Sequence, residues 1–119
     1  MNYEELQNYC SAKPGVTEEF PFDEVTLVFK VMGRVFAITS LADEEPRVNL
    51  KCDPDRAIEL REEFPDIIPG WHMNKKHWNT VYLERELDHQ LIQELIDHSY
   101  NLVVKKLTKK KREELGEHS

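Results

Sequence analysis

Hydrophobic positions recur along this chain with two different periods, and the switches between them predict its elements. Tyr3, Leu6 and Cys10 repeat at helical spacing, which predicts an amphipathic helix over Asn2 to Ala12, ended by Lys13-Pro14-Gly15. Val16 to Phe22 reads as a loop. Two runs rich in Val, Phe, Ile and Thr follow, Val25 to Val31 and Arg34 to Leu41, and they flank Met32-Gly33 at the spacing of a tight hairpin. In the first run Val25, Leu27, Phe29 and Val31 share a face opposite Thr26 and Lys30, so Lys30 points to solvent or to a ligand. Arg47 to Cys52 alternates again, with Val48, Leu50 and Cys52 inward and Arg47, Asn49 and Lys51 outward.

Asp53-Pro54 supplies an N-cap acceptor followed by proline at the first helical position. Ala57, Leu60 and Phe64 then line one side of a helix stopped by Pro65. Pro69-Gly70 predicts a turn, and Trp71-His72-Met73 with Asn79 to Leu83 predicts a second hairpin around Lys75-Lys76-His77. From the N-cap Asp88, a stripe of Leu91, Ile92, Leu95, Ile96, Leu102 and Val103 predicts a long helix to about Lys106. The order α-β-β-β-α-β-β-α lacks regular βαβ repetition. It predicts a two-layer α+β fold, an antiparallel sheet of about five strands with helices on one face. At 119 residues the chain is expected to be one domain, with a charged C-terminal end from about 108.

Charge changes this picture more than composition does. The chain carries a formal net charge of -7, which argues against the whole surface being a landing pad for nucleic acid. Arg47 to Leu83 nevertheless holds six basic residues against six acidic ones, so a local basic patch fits there. No apolar run is long enough to span a bilayer, and the acidic start is unlike a secretory signal, so a cytoplasmic protein without membrane partners is expected. Cys10 and Cys52 form no CxxC pair and fall within apolar patterns, as buried thiols do in a reducing compartment.

No metal site, cofactor or catalytic group is predicted. His72 and His77 bracket a loop but lack two further zinc ligands, and Lys75 and Lys76 raise the local positive potential. No GxSxG occurs, and the four glycines are isolated, which excludes a phosphate-cradling glycine loop. The segment Trp71 to Thr80 stands apart, because it packs two indoles, two lysines, two imidazoles and two carboxamides into ten positions. Its functional reading is a recognition surface, with lysines for phosphate or carboxylate, Asn74 and Asn79 for hydrogen bonds and rings for stacking. The competing reading makes Trp71 or Trp78 core and has one asparagine satisfy backbone groups in the turn. Lys105, Lys106, Lys109, Lys110, Lys111 and Arg112 read as a solvated helix end, with Lys109 and Glu113, and Lys110 and Glu114, spaced as helical ion pairs.

Four separated motifs carry a resemblance: Pro14 to Phe22, Asn49-Leu50-Lys51-Cys52-Asp53-Pro54, His72 to Thr80 and Asp97-His98-Ser99-Tyr100. Together they look like the MmcQ/YjbR family. The resemblance implies a compact α+β fold, similar to frataxin-like or secretion-chaperone-like arrangements, and a stand-alone bacterial cytosolic protein. It also implies the DNA-binding label such proteins carry through the likeness of their fold to a double-wing module, a warrant by shape alone. The expected function is thus non-enzymatic binding, of DNA through the sheet face and the 71–80 hairpin. Lys51, Lys75 and Lys76 would sit on phosphates, His77 or Trp78 would pack on the ligand, and Asn79, Lys30 and Arg47 would assist. His72, Asn74 and Thr80 complete the motif. The alternatives are a protein-interaction or chaperone-like module anchored by Trp71 or Trp78, and a binder of a small anionic metabolite.

Overall fold

The structure, a computed structural model, describes residues 1–116. Helix α1 (Tyr3–Ser11) starts where Asn2 accepts from the Glu5 N–H while Glu5 reaches back to the Asn2 N–H. Strands β1 (Val16–Glu19), β2 (Thr26–Val31), β3 (Arg34–Ser40) and β4 (Arg47–Lys51) follow, then α2 (Pro54–Glu63), β5 (Ile67–Pro69), β6 (Trp78–Tyr82), α3 (His89–Lys105) and α4 (Lys109–Glu114). The six strands form one antiparallel sheet in the order β1-β2-β3-β4-β6-β5. Leu6 and Cys10 of α1, Ala57 and Leu60 of α2 and the apolar stripe of α3 all enter one core with Leu27, Phe29, Val48, Leu50 and Val81. The helices therefore gather on one face, as the α+β pattern predicts. Among the described residues no helix is long and apolar enough to cross a membrane.

The sheet has one strand more than expected, and one expected strand moves. Val16 to Glu19 is not a loop but an edge strand paired with β2, from Val16 opposite Val31 to Glu19 opposite Val28. Short acidic edge strands keep charge on an unpaired rim and show no apolar alternation, so periodicity passes over them. Trp71 to Met73 is not the partner of β6. Ile67, Ile68 and Pro69 pair instead with Val81, Thr80 and Asn79, and the edge position is what lets Pro69 end a strand. Val25 lies exposed just ahead of β2 rather than in the core. The β2–β3 turn is as expected, with Met32 and Gly33 both at positive φ, 50° and 85°, the pattern of a type I′ hairpin turn. At the C-terminal end no ion pair joins Lys109 to Glu113 or Lys110 to Glu114 among the described residues. Exposed pairs gain too little to hold two long side chains in place.

Candidate functional site

Residues 70–77 leave the edge strand β5 and return as β6, and backbone requirements shape that loop. Gly70 donates its N–H to the Trp78 carbonyl at 2.9 Å, and a Cβ there would lie 2.8 Å from Trp78 Cβ, so the close approach needs glycine. The Trp71 N–H donates to Thr80 Oγ1 at 2.9 Å, Asn49 Nδ2 donates to the Trp71 carbonyl at 3.2 Å, and the Thr80 hydroxyl donates to Asn49 Oδ1. Side chains of β4 and β6 thus pin the loop to the sheet. Asn74 builds the second bend: its Oδ1 accepts from the Lys76 N–H, and its carbonyl accepts from the His77 and Trp78 N–H groups. Lys75 Nζ donates to the Gly70 carbonyl at 3.2 Å.

Two clefts border this loop. The first, about 400 Å³, is lined by Lys51, Asp53, Asn74, His77, Trp78 and Lys106, with Cys52, Pro54 and Leu102. Lys51 is the cross-strand neighbour of Trp78 on the sheet face away from the helices, and its ammonium lies 5.5 Å from the centre of the indole. Burial, then the charges of Lys106 and Arg34, hold the Lys51 pKa below the ordinary lysine value. Neither Lys51 nor Lys106 has a carboxylate partner among the described residues. Among the described residues Asp53 is the one carboxylate on the wall, and it caps α2 by accepting from the Arg56 N–H at 3.2 Å. The second cleft, about 370 Å³, lies on the sheet face between the loop and the turn before β2, and Arg47, Asn49, Phe22, Trp71 and His72 line it.

The predicted residues therefore divide. Lys51, Asn74, His77 and Trp78 meet in the first cleft; Arg47 and His72 reach the second. Lys30 is in neither, because it pairs with Glu19 at 2.7 Å across the β1–β2 ladder. Arg47 is likewise matched, by Asp43 at 3.0 Å. Asn79 is only 2% exposed and sits on the core face, its Nδ2 3.4 Å from the Ala57 carbonyl; strand alternation turns it away from Trp78 and Thr80. Thr80 is fully buried under the loop it pins. Lys75 and Lys76 are exposed on the loop and line neither cleft. Sequence reasoning missed Lys106 and Arg34 as members of one cationic group, since helix and hairpin meet there only through the fold.

The family model for YjbR matches residues 11–102. The chain belongs to the YjbR family. It is 38% identical to Escherichia coli YjbR over 112 residues, 94% of this chain and 95% of that protein, and 42% identical to Escherichia coli YbdF over 91 residues, 76% of this chain and 75% of that one. The crystal structure of a Deinococcus radiodurans protein with the DUF419 domain superposes with a TM-score of 0.89 at 45% identity, covering 95% of this chain and 86% of its own. A Pseudomonas syringae protein superposes with a TM-score of 0.75 at 27% identity, covering 86% and 98%. YjbR and YbdF are uncharacterised proteins, so membership of the YjbR family fixes the fold and leaves the ligand to be argued from the clefts.

Burial sets the state of titratable groups in the core and beside the first cleft. Burial pushes the Cys52 thiol up to about 11 and the Cys10 thiol up to about 12, so both stay protonated and weakly nucleophilic at neutral pH. His98 accepts the Asp53 N–H on Nε2 at 3.1 Å, which needs a neutral ring. Its pKa is lowered, first by burial and then by the Arg56 charge. An unfolded chain binds that proton near the ordinary value of about 6.5, so the stability His98 contributes is present above it and is lost as pH falls toward the lower folded value. A His98→Gln variant should show a shallower fall in melting temperature between about pH 7 and pH 5 than the parent. Equal slopes in the two proteins would remove His98 as the cause.

Proposed function

We propose that this domain is a non-enzymatic binding module that seats the phosphate or carboxylate of a small anionic metabolite in the cleft between the end of β4 and the C-terminal end of α3. The observation that carries the reading is the pair Lys51 and Lys106, two ammonium groups lining one cleft, neither of them ion-paired among the described residues, while the carboxylate of Asp53 on the same wall is engaged in capping α2. Their mutual repulsion raises the free energy of the empty site, and an anion would offset it. Trp78, only 8% exposed, backs Lys51 and limits its rotamers. Asn74 and His77 bring further polar groups to the same wall. A DNA duplex offers the same phosphate chemistry, but the sheet-face cations Lys30 and Arg47 are matched by carboxylates and the chain is net acidic, which favours an enclosed small anion over a phosphate track.

Titration calorimetry with inorganic phosphate, citrate and a short DNA duplex tests this. One of the small anions is expected to bind saturably, with Lys51→Ala and Lys106→Ala each weakening it about ten-fold or more, the scale of one charge-assisted hydrogen bond. Duplex binding that falls steeply with salt and is lost in a Lys75→Ala/Lys76→Ala variant would replace this reading with the nucleic-acid one. Anion binding indifferent to both Lys51 and Lys106, or no binding of either small anion, would refute it.

A further inference from the structure

The sheet-face cleft is built independently of the lysine pair, and its chemistry is different. Its rim carries two large exposed aromatics, Trp71 at 51% and Phe22 at 76%, and Ile38 contributes an apolar wall. Trp71 is held at both ends of its peptide unit, N–H by Thr80 and carbonyl by Asn49, and the His72 ring meets it edge-on with centroids 5.2 Å apart. The Arg47 guanidinium lies 5.2 Å from the centre of the indole and is fixed by Asp43 at 3.0 Å and the Tyr82 hydroxyl at 3.4 Å. The indole is thus set against an arginine and an imidazole, its backbone tied to the sheet, while about half of the residue stays open to solvent. That is the preparation a stacking platform needs.

We infer that this cleft is a separate site for a flat, uncharged heteroaromatic ring of the purine or pterin kind, stacked on Trp71 and bordered by Phe22. Its volume, about 370 Å³, falls in the range of roughly 300–1,000 Å³ common to small-molecule pockets. Charge selects the class. Arg47 and Asp43 neutralise one another, so the walls offer no net attraction to an anion. They do place a cationic donor beside an anionic acceptor, the complement of a ring edge that presents a carbonyl or ring nitrogen next to an N–H.

The chain has two tryptophans, and Trp71→Phe assigns their indole N–H resonances in a ¹⁵N-labelled sample. Guanosine, adenosine and pterin are titrated separately into the intact protein. The expected result is a saturable shift of the Trp71 resonance by at least one ring while the buried Trp78 resonance stays. Trp71→Ala and Phe22→Ala, both at exposed positions and checked for an unchanged backbone spectrum, should each weaken binding about ten-fold, within the range for loss of one stacking face. Lys106→Ala should leave ring binding unchanged while it weakens phosphate, so failure of either site is distinguishable from failure of the other. No saturable shift with any of the three rings, a shift confined to Trp78, or affinity unchanged in both Trp71→Ala and Phe22→Ala would overturn the assignment.

Discussion

Truncating Phe36 to alanine is expected to cost about 3–5 kcal/mol of folding stability, the range for a buried phenylalanine. The reason lies in a bulge. Ala37 pairs with Phe29, but the next register pair is Val35 with Lys30, so Phe36 is the extra residue that β3 inserts opposite β2. Phe36 and its neighbour Ala37 are both fully buried. The Phe36 ring lies edge-on to Tyr100 at 5.4 Å and tilted against Phe29 at 6.4 Å, joining α3 to β2 through β3. Against a total stability of about 5–15 kcal/mol for such a domain, the loss is a large fraction. Urea unfolding with linear extrapolation measures it. A Phe36→Leu variant should lose less than about 1.5 kcal/mol because it keeps most of the volume. An alanine variant losing less than about 1 kcal/mol would mean that the core closes over the gap and the ring contacts hold little.

That bulge was invisible in the sequence, and the reason separates what periodicity can find from what it cannot. The alternation in β4 correctly turns Arg47, Asn49 and Lys51 to one face and Val48 and Leu50 to the other, and the helical stripe of α3 correctly finds its long apolar side. Both elements are wide enough, and buried enough on one face, for burial to write itself into the residue pattern. Edge strands are not: β1 carries two glutamates in four residues, and β5 is three residues ending in proline. In the candidate site, the period alone would have placed Asn79 inward with Val81, but the polar chemistry of the segment outweighed it. Trp78 shows the opposite failure, since its parity points it to the open face while Lys51 and the Gly70 turn bury it there. Long-range convergence had no signal at all. Lys106 belongs to a helix end where a cation is expected for its own sake, and nothing local says that β4 ends beside it.

Replacing Ser99 with alanine should destabilise the domain by about 2–4 kcal/mol and weaken phosphate binding with it, although the side chain lines neither cleft. Ser99 is fully buried on α3; its hydroxyl donates to the Phe36 carbonyl at 2.5 Å and accepts from the Lys51 N–H at 2.9 Å. One oxygen therefore satisfies the carbonyl that the bulge leaves out of the ladder and fixes the backbone from which Lys51 projects. Alanine removes both partners at once, and each desolvated backbone group left unpaired costs about 1–3 kcal/mol. Its neighbours do related work. Asp97 accepts from the Tyr9 hydroxyl at 2.8 Å and pairs with Lys13, His98 accepts from the Asp53 N–H, and the Tyr100 hydroxyl donates to the Pro14 carbonyl at 2.6 Å. Asp97-His98-Ser99-Tyr100, one of the four motifs that carry the family resemblance, is thus the fastening of α3 to α1, β3 and the start of α2. The coupling distinguishes this role from packing alone. Lys106→Ala, at an exposed position, should lose affinity for phosphate with little change in the unfolding midpoint, whereas Ser99→Ala should lose both. A Ser99→Ala protein that unfolds earlier but binds phosphate as before would mean that Lys51 finds its place without the tether, and that the cleft is ordered by Trp78 alone.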